Sequence, residues 1–199
     1  WRPISSRTAS SNLKVTGRIT AGEGALKIES AGFAGRVANV RVTEGDHVTV
    51  GQPLLEVSSA ECISLAEEKR VATQHGLADM VEASARRAEQ LHLKVQNSNS
   101  VCLLVAAHAG TVLKRGVEIG AAFNVGDAVV TLLDTRHLSA EFDVNERDLS
   151  LVQVGESVRF QVAGDSATTM QSKITNIIPS IDPVTRVARI RISGIHFAR

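Results

Sequence analysis

The sequence predicts a mainly β protein carrying an α-helical hairpin, and three observations lead there. An ungapped internal repeat is built from alternating, glycine-punctuated segments. Between its two copies the apolar period lengthens from two to between three and four, and after Asp134 it returns to two.

The repeat is the strongest of the three. Ala31-Gly32-Phe33-Ala34-Gly35-Arg36-Val37 lies over Ala106-Ala107-His108-Ala109-Gly110-Thr111-Val112. The register then carries Val42 onto Val117, Gly45 onto Gly120, Val50 onto Val125 and Gly51 onto Gly126, with Leu54, Leu55 and Val57 on Val129, Val130 and Leu132. Each half reads as short strands broken by turns: Arg36 to Val42 alternates, Glu44-Gly45-Asp46 turns, His47 to Val50 is short, and Gly51-Gln52-Pro53 leads into Leu54 to Val57. Gly35, Gly45, Gly51, Gly110, Gly120 and Gly126 are assigned as structural turn positions, because glycine accepts positive φ without a Cβ clash. Neither half can bury its apolar face alone, so residues 25–58 and 101–134 are expected to close on each other as one flattened sandwich. The alternative is two unrelated β-units sharing a turn pattern.

Residues 59–100 form the insertion. Leu77, Val81, Ser84, Ala88, Leu91 and Val95 recur at steps of four and three, predicting one narrow seam along a helix of about five turns, with Glu82 and Arg86 as an i,i+4 pair. Ala60 to about Thr73 is also helix-prone, and Gln74-His75-Gly76 reverses the chain between the two. The result is an antiparallel hairpin, with a single bent helix as the alternative.

Residues 13–20 and 135–195 supply a third module. Leu13 to Ile19, Leu138 to Val144, Ser157 to Val162, Gln171 to Ile178 and Arg186 to Ile192 read as strands, Glu146 to Leu149 as a short helical turn, and Val154-Gly155-Glu156 as a tight turn. Five such strands predict a small, incomplete antiparallel barrel.

Composition narrows the function. A hydrophobic content of 43% supplies a core, while 3% aromatics and no Tyr make it one of small and β-branched side chains. Net charge is +1 with no basic cluster, and few rings are present for bases to stack on, so nucleic acid is not an expected partner. No run approaches the roughly 18 to 20 apolar residues of a bilayer span. A start at Trp1 is consistent with an export signal or lipid anchor already removed.

From Gly35 to Leu54 the pattern Gly-x-Val, then Val-x-x-Gly-Asp-x-Val-x-x-Gly-Gln-x-Leu, resembles the lipoyl and biotinyl domain family, in which a tight hairpin joining the halves carries a modified lysine. Here Ser58 to Ser100 replaces that tip, and no lysine occupies the tip motif. The nested order of barrel strand, half, hairpin, half and barrel resembles the HlyD-type membrane fusion proteins, the periplasmic adaptors of resistance-nodulation-division (RND) efflux pumps. The likeness rests on Ala34 to Val37, Glu44 to Asp46, Gly51 to Leu54, Ala109 to Val112, Glu141 to Leu149 with Gly155, and Ile181 to Arg186. Ser59-Ala60-Glu61 is similar to the hairpin start of the heavy-metal branch, of CusB and CzcB type.

That resemblance implies a non-enzymatic component exporting small molecules or metal ions. It implies self-association into a ring, an inner-membrane RND-type transporter and an outer-membrane channel as partners, and a periplasmic location with an inner-membrane anchor in the full-length protein. The hairpin is short for the family and lacks the Arg, Leu and Ser tip pattern, which puts direct channel docking in doubt. The chain also ends before the Pro-Gly-Met stretch that completes the family's barrel, so a fragment lacking the membrane-proximal domain is implied.

Candidate chemistry is sparse. The six histidines, His47, His75, His92, His108, His137 and His196, show no metal-ligand spacing, and Met80 and Met170 are isolated, so no metal site, catalytic residue or cofactor is expected. Asp182, Thr185 and Arg186 read as a turn ordered by Pro183. Cys62 and Cys102 lie near the hairpin base; in an oxidising periplasm a disulfide there would staple hairpin to sandwich, although the arms pair about a turn out of register, and two buried thiols are the other state. Two other functions fit the same architecture: a lipoyl or biotinyl carrier domain, or an adaptor of an ABC-type exporter or secretion system. A carrier needs an exposed lysine at the tip, whereas Lys69 and Lys94 are expected within the helical arms.

Overall fold

A computed structural model describes residues 13–96, 101–162, 165–178 and 187–195. The chain divides into two compact units, one of Ala21–His137 and one containing Leu138–Ile195 with the segment up to Thr20.

In the larger unit, the first repeat gives β2 (Leu26–Ser30), β3 (Gly35–Val40), β4 (His47–Val48) and β5 (Pro53–Ser58). Then come helices α1 (Ala60–Gln74) and α2 (Ala78–Gln90) and the short β6 (Leu93–Val95). The second repeat gives β7 (Val101–Val105), β8 (Gly110–Arg115), β9 (Ala122–Phe123) and β10 (Ala128–Leu133). The strands make a four-stranded sheet, β2-β10-β8-β4, and a five-stranded sheet, β6-β7-β5-β3-β9, so each sheet draws strands from both repeats. One core spans them: Phe33, Val37, Val48, Leu54 and Val57 pack with Val112, Phe123, Val129 and Leu132. Phe33 and Phe123, one from each half, meet edge to face at 5.5 Å.

The two halves are tied by matched exchanges. Gly45 donates its N–H to the Val112 carbonyl and Gly120 donates to that of Val37, both at 2.8 Å. Gly51 donates to Ala106 and Gly126 to Ala31, again both at 2.8 Å. His47 pairs with Thr111 as Ala122 pairs with Arg36. Gly45, Gly51, Gly120 and Gly126 all have positive φ, between 79° and 94°.

Gly35 and Gly110 are not turns, which corrects the sequence assignment: they open β3 and β8, and neither has positive φ. Their requirement is space. A Cβ on Gly35 would sit 2.8 Å from the Ser58 carbonyl oxygen and 2.9 Å from the Phe123 ring; on Gly110 it would sit 2.9 Å from the Leu133 carbonyl oxygen.

The smaller unit holds β1 (Gly17–Ala21), β11 (Leu138–Asn145), a 3₁₀ turn at Glu146–Leu151, β12 (Ser157–Val162), β13 (Asp165–Lys173), β14 (Asn176–Ile178) and β15 (Val187–Ile195). Asn145 caps the 3₁₀ turn through the Arg147 N–H, and Gly155 turns with φ +92°. The small, incomplete barrel read from the sequence is not closed among the described residues. The strands separate into a four-stranded sheet, β1-β11-β15-β14, and a two-stranded ribbon, β12-β13. The strand expected over Gln171 to Ile178 breaks at Ile174 and Thr175: the Ile174 side chain turns into the core beside Val144 and Ile190, and Thr175 leaves the ladder with β12 to bond the Arg191 carbonyl. Phe142 and Phe160 meet edge to face at 5.7 Å. The turn expected at Asp182, Thr185 and Arg186 lies outside the described residues, as does His196.

The hairpin root as candidate functional site

The hairpin leaves the sandwich at Ser59, which caps α1: its Oγ accepts the Cys62 N–H at 3.0 Å, satisfying one of the first-turn donors that a helix leaves open. Fifteen residues make α1 about 22 Å long at 1.5 Å per residue. His75 caps its C-terminus, and Gly76, with φ +67°, reverses the chain. In α2 the seam is narrow, with Ser84 and Ala88 buried; the Ser84 hydroxyl donates to the Val81 carbonyl, so a polar residue sits there without an orphaned group. Arg86 pairs with Glu82 as the sequence spacing proposes, and Arg87 reaches across to Glu68 at 3.3 Å. Both pairs are exposed and contribute little on their own.

The second helix is shorter than its seam predicts. His92 adopts a left-handed φ of +53° just after the Leu91 cap, and the chain turns into β6. Leu93 then pairs with Leu104, and Val95 with Cys102. Val95 therefore belongs to the sheet, and so does Lys94, contrary to the expectation that it lies in a helical arm. The Lys94 ammonium donates to the Gly51 carbonyl at 2.8 Å. Lys69 is on α1.

The root itself is formed by β5, the first turn of α1 and β7. β5 and β7 are antiparallel neighbours with Val57 opposite Cys102. That register brings Cys62 and Cys102 together, with Cα atoms 5.8 Å apart and the sulfurs in contact, inside the range a disulfide spans. The expected mismatch of about one turn does not arise, because the contact runs from a helix to a strand rather than between the two arms. Both side chains are closed off from solvent, at 0% and 1% exposure.

Three buried carboxylates were not singled out from the sequence. Glu29 on β2 accepts the N–H groups of Ala107 and His108 and contacts His108 Nδ1, each at 3.0 Å, fixing the β7–β8 turn. Asp134 accepts from Arg136, whose guanidinium does most to hold its carboxyl well below the ordinary aspartate value, and it also contacts His137. Glu141, in the smaller unit, is ringed by Arg191 at 2.7 Å, Arg18 at 3.3 Å and Arg189 at 3.6 Å; the Arg191 hydrogen bond leads in lowering its pKa. The one sequence signal was local, the Asp-x-Arg-His spacing at Asp134. Among the described residues, no three His, Cys, Asp or Glu side chains gather as a metal site, and no helix is long and apolar enough to cross a membrane. His47 lies on β4.

Residues 140–193 match the family described as CusB-like, beta-barrel domain. The crystal structure of ZneB from Cupriavidus metallidurans superposes with a TM-score of 0.61 at 19% identity, covering 89% of this chain and 88% of that one. The chain has the fold of a membrane fusion protein. The periplasmic adaptor protein EmrA shares that fold, with a TM-score of 0.58 at 14% identity over 94% of this chain and 93% of its own. An uncharacterized protein of Haemophilus influenzae is 24% identical across 96% of this chain and 52% of its own length. The chain thus spans about half of that relative, and the adaptor fold in it comprises sandwich, hairpin and the strand-rich unit.

Proposed function

We propose that this chain is the core of a periplasmic adaptor. It would link an inner-membrane RND-type transporter to an outer-membrane channel in the export of small molecules or metal ions, acting as a binding and assembly component rather than an enzyme. One observation carries the reading: the chain leaves the sandwich from β5, runs through a helical hairpin, and returns to the same sheet through β6 and then β7, the direct neighbour of β5. A projecting arm is thereby rooted in a shared β core, which suits a part that spans a gap and docks at both ends. Residues 25–58 with 93–95 and 101–134 serve as the sandwich, 59–92 as the projecting arm, and 13–20 with 135–195 as the second β module. The match of residues 140–193 to a CusB-like domain supports the efflux assignment and the ZneB likeness its heavy-metal branch. The Cys62–Cys102 contact favours an oxidising compartment such as the periplasm.

The carrier alternative lacks its lysine. Residues at the hairpin reversal are His75, Gly76 and Leu77, and the Lys94 ammonium is held at Gly51. The experiment is affinity capture of the full-length protein from crosslinked envelopes, with sizing of the purified protein. Recovery of an inner-membrane transporter together with ring-sized assemblies is the expected result. An exclusively monomeric protein that captures no transporter, or an intact mass bearing biotin or lipoate, would overturn the adaptor reading.

A further inference from the structure

We infer that Cys62 and Cys102 form a co-folding modification site, oxidised by an exported disulfide donor before the hairpin root closes and shielded from thiol chemistry afterwards. The inference rests in one respect on the adaptor reading, which places the chain in an oxidising compartment.

Position and burial carry the argument. Thiol–disulfide exchange needs a thiolate to approach one sulfur in line with the bond it displaces. Cys62 is 0% and Cys102 1% exposed, within a core that also contains Val57, Leu65 and Leu104. No external thiol, disulfide or phosphine can reach either sulfur while α1 is docked. Formation and reduction of the bond must both pass through a state in which the first turn of α1 has lifted from β7. Neither cysteine is compelled to stay reduced or oxidised by a missing partner, since Cys62 Sγ lies 3.9 Å from the Val57 carbonyl, which could receive a thiol proton. The bond would close a segment of sequence separation 40 containing α1 from Cys62 onward, α2 and β6, fastening the projecting arm at its root.

The chemistry balances with a dithiol/disulfide donor. One cysteine of the unfolded chain loses its proton and attacks the donor disulfide, giving a mixed disulfide and one donor thiol. The second cysteine, likewise deprotonated, displaces the other donor sulfur. Two electrons and two protons pass from this chain to the donor, which leaves as a dithiol.

The test has two arms, both on the full chain. The oxidised chain is treated with tris(2-carboxyethyl)phosphine, natively and in guanidinium chloride, and the reduced chain is refolded with oxidised glutathione present throughout or added only after folding. The intact mass reads the bond in each case. Native reduction is expected to be slower by about a hundredfold or more, the factor that an opening equilibrium in the middle of the native range imposes. Late addition of oxidant should slow bond formation similarly. Equal reduction rates with and without denaturant would overturn the inference. So would two thiols in the native chain that react promptly with a maleimide. If the reduced chain does not fold, the reduction arm still decides. Neither arm depends on the cellular compartment, so a chain recovered reduced from cells yet behaving this way in vitro would count against the periplasmic reading and leave the shielding intact.

Discussion

Gly45 donates its backbone N–H to the Val112 carbonyl at 2.8 Å, and the same bond recurs 75 residues on, from Gly120 to Val37. Each half of the repeat thus uses its own turn to hold the other half, which is why neither is a domain by itself. Both glycines sit in the left-handed region, with φ of +94° and +83°, and a Cβ on either would meet nothing within 4 Å. Replacement by Val should therefore cost backbone strain alone, about 1–3 kcal/mol at each site. Urea denaturation checks this, and equal losses at the two positions are expected from the pseudosymmetry.

At Gly35 the penalty has a different origin. An added methyl meets the Ser58 carbonyl oxygen and the Phe123 ring below 3.0 Å, so Gly35→Ala should destabilise by about 1–3 kcal/mol through overpacking. Trimming the ring separates the two causes. Phe123→Leu should recover part of the loss in the Gly35→Ala background but none of it in Gly45→Val, as double-mutant cycles would read out.

These two kinds of glycine mark how far the sequence could be read. Alternation and repeat spacing located the strands of both halves, and Gln74-His75-Gly76 located the reversal, because those signals are local. Gly35 looked like Gly45 in sequence; only the approach of β5 and β9 shows that one needs space and the other needs φ. Val95 continued the helical seam by spacing, yet pairing with Cys102 decided its state. Glu141 lay in an alternating apolar strand with nothing nearby to mark it, since its arginines come from positions 18, 189 and 191. Contacts of long sequence separation had no local signature.

Loss of the Cys62–Cys102 link should be felt at the hairpin before the sandwich. For a segment of separation 40, the loop-closure relation gives about 4 kcal/mol as the contribution of a bond, with native accommodation reducing it. The Cys62→Ser, Cys102→Ser variant is expected to melt lower. Amide exchange should quicken most in α1, α2 and β6, and least at Val112 and Leu132. Uniform acceleration across the unit would show that the root does not act as a local clamp.

Acid should weaken the smaller unit through Glu141. Its carboxyl is held below the ordinary glutamate value, first by the Arg191 hydrogen bond and then, against the cost of burial, by Arg189 and Arg18. A carboxylate with a lowered folded-state pKa contributes its full stabilisation above the unfolded-state value and loses it as pH falls toward the folded one. The decline is thus expected below about pH 5, where an unfolded glutamate begins to protonate. Glu141→Gln cannot titrate, so its stability should lie about 1–2 kcal/mol below the parent at pH 7, the arginines being partly solvated. The two should converge only once the pH has fallen below the parent's lowered folded-state value, where its carboxylate is protonated in the folded chain as well. Parallel curves of stability against pH would assign acid sensitivity elsewhere, with Asp134 the next candidate.

The pairing of Phe33 with Phe123 offers the sharpest measure of whether the two repeats share one core. The rings come from opposite halves, both nearly inaccessible, and meet at 5.5 Å with planes inclined by 77°. Edge-to-face aromatic pairs contribute about 0.5–1.5 kcal/mol beyond burial. Either ring replaced by Leu should lose stability, and the double replacement should lose less than the sum by that coupling. A coupling of zero would mean that the two rings, and with them the two halves, contribute independently, which a common core does not permit.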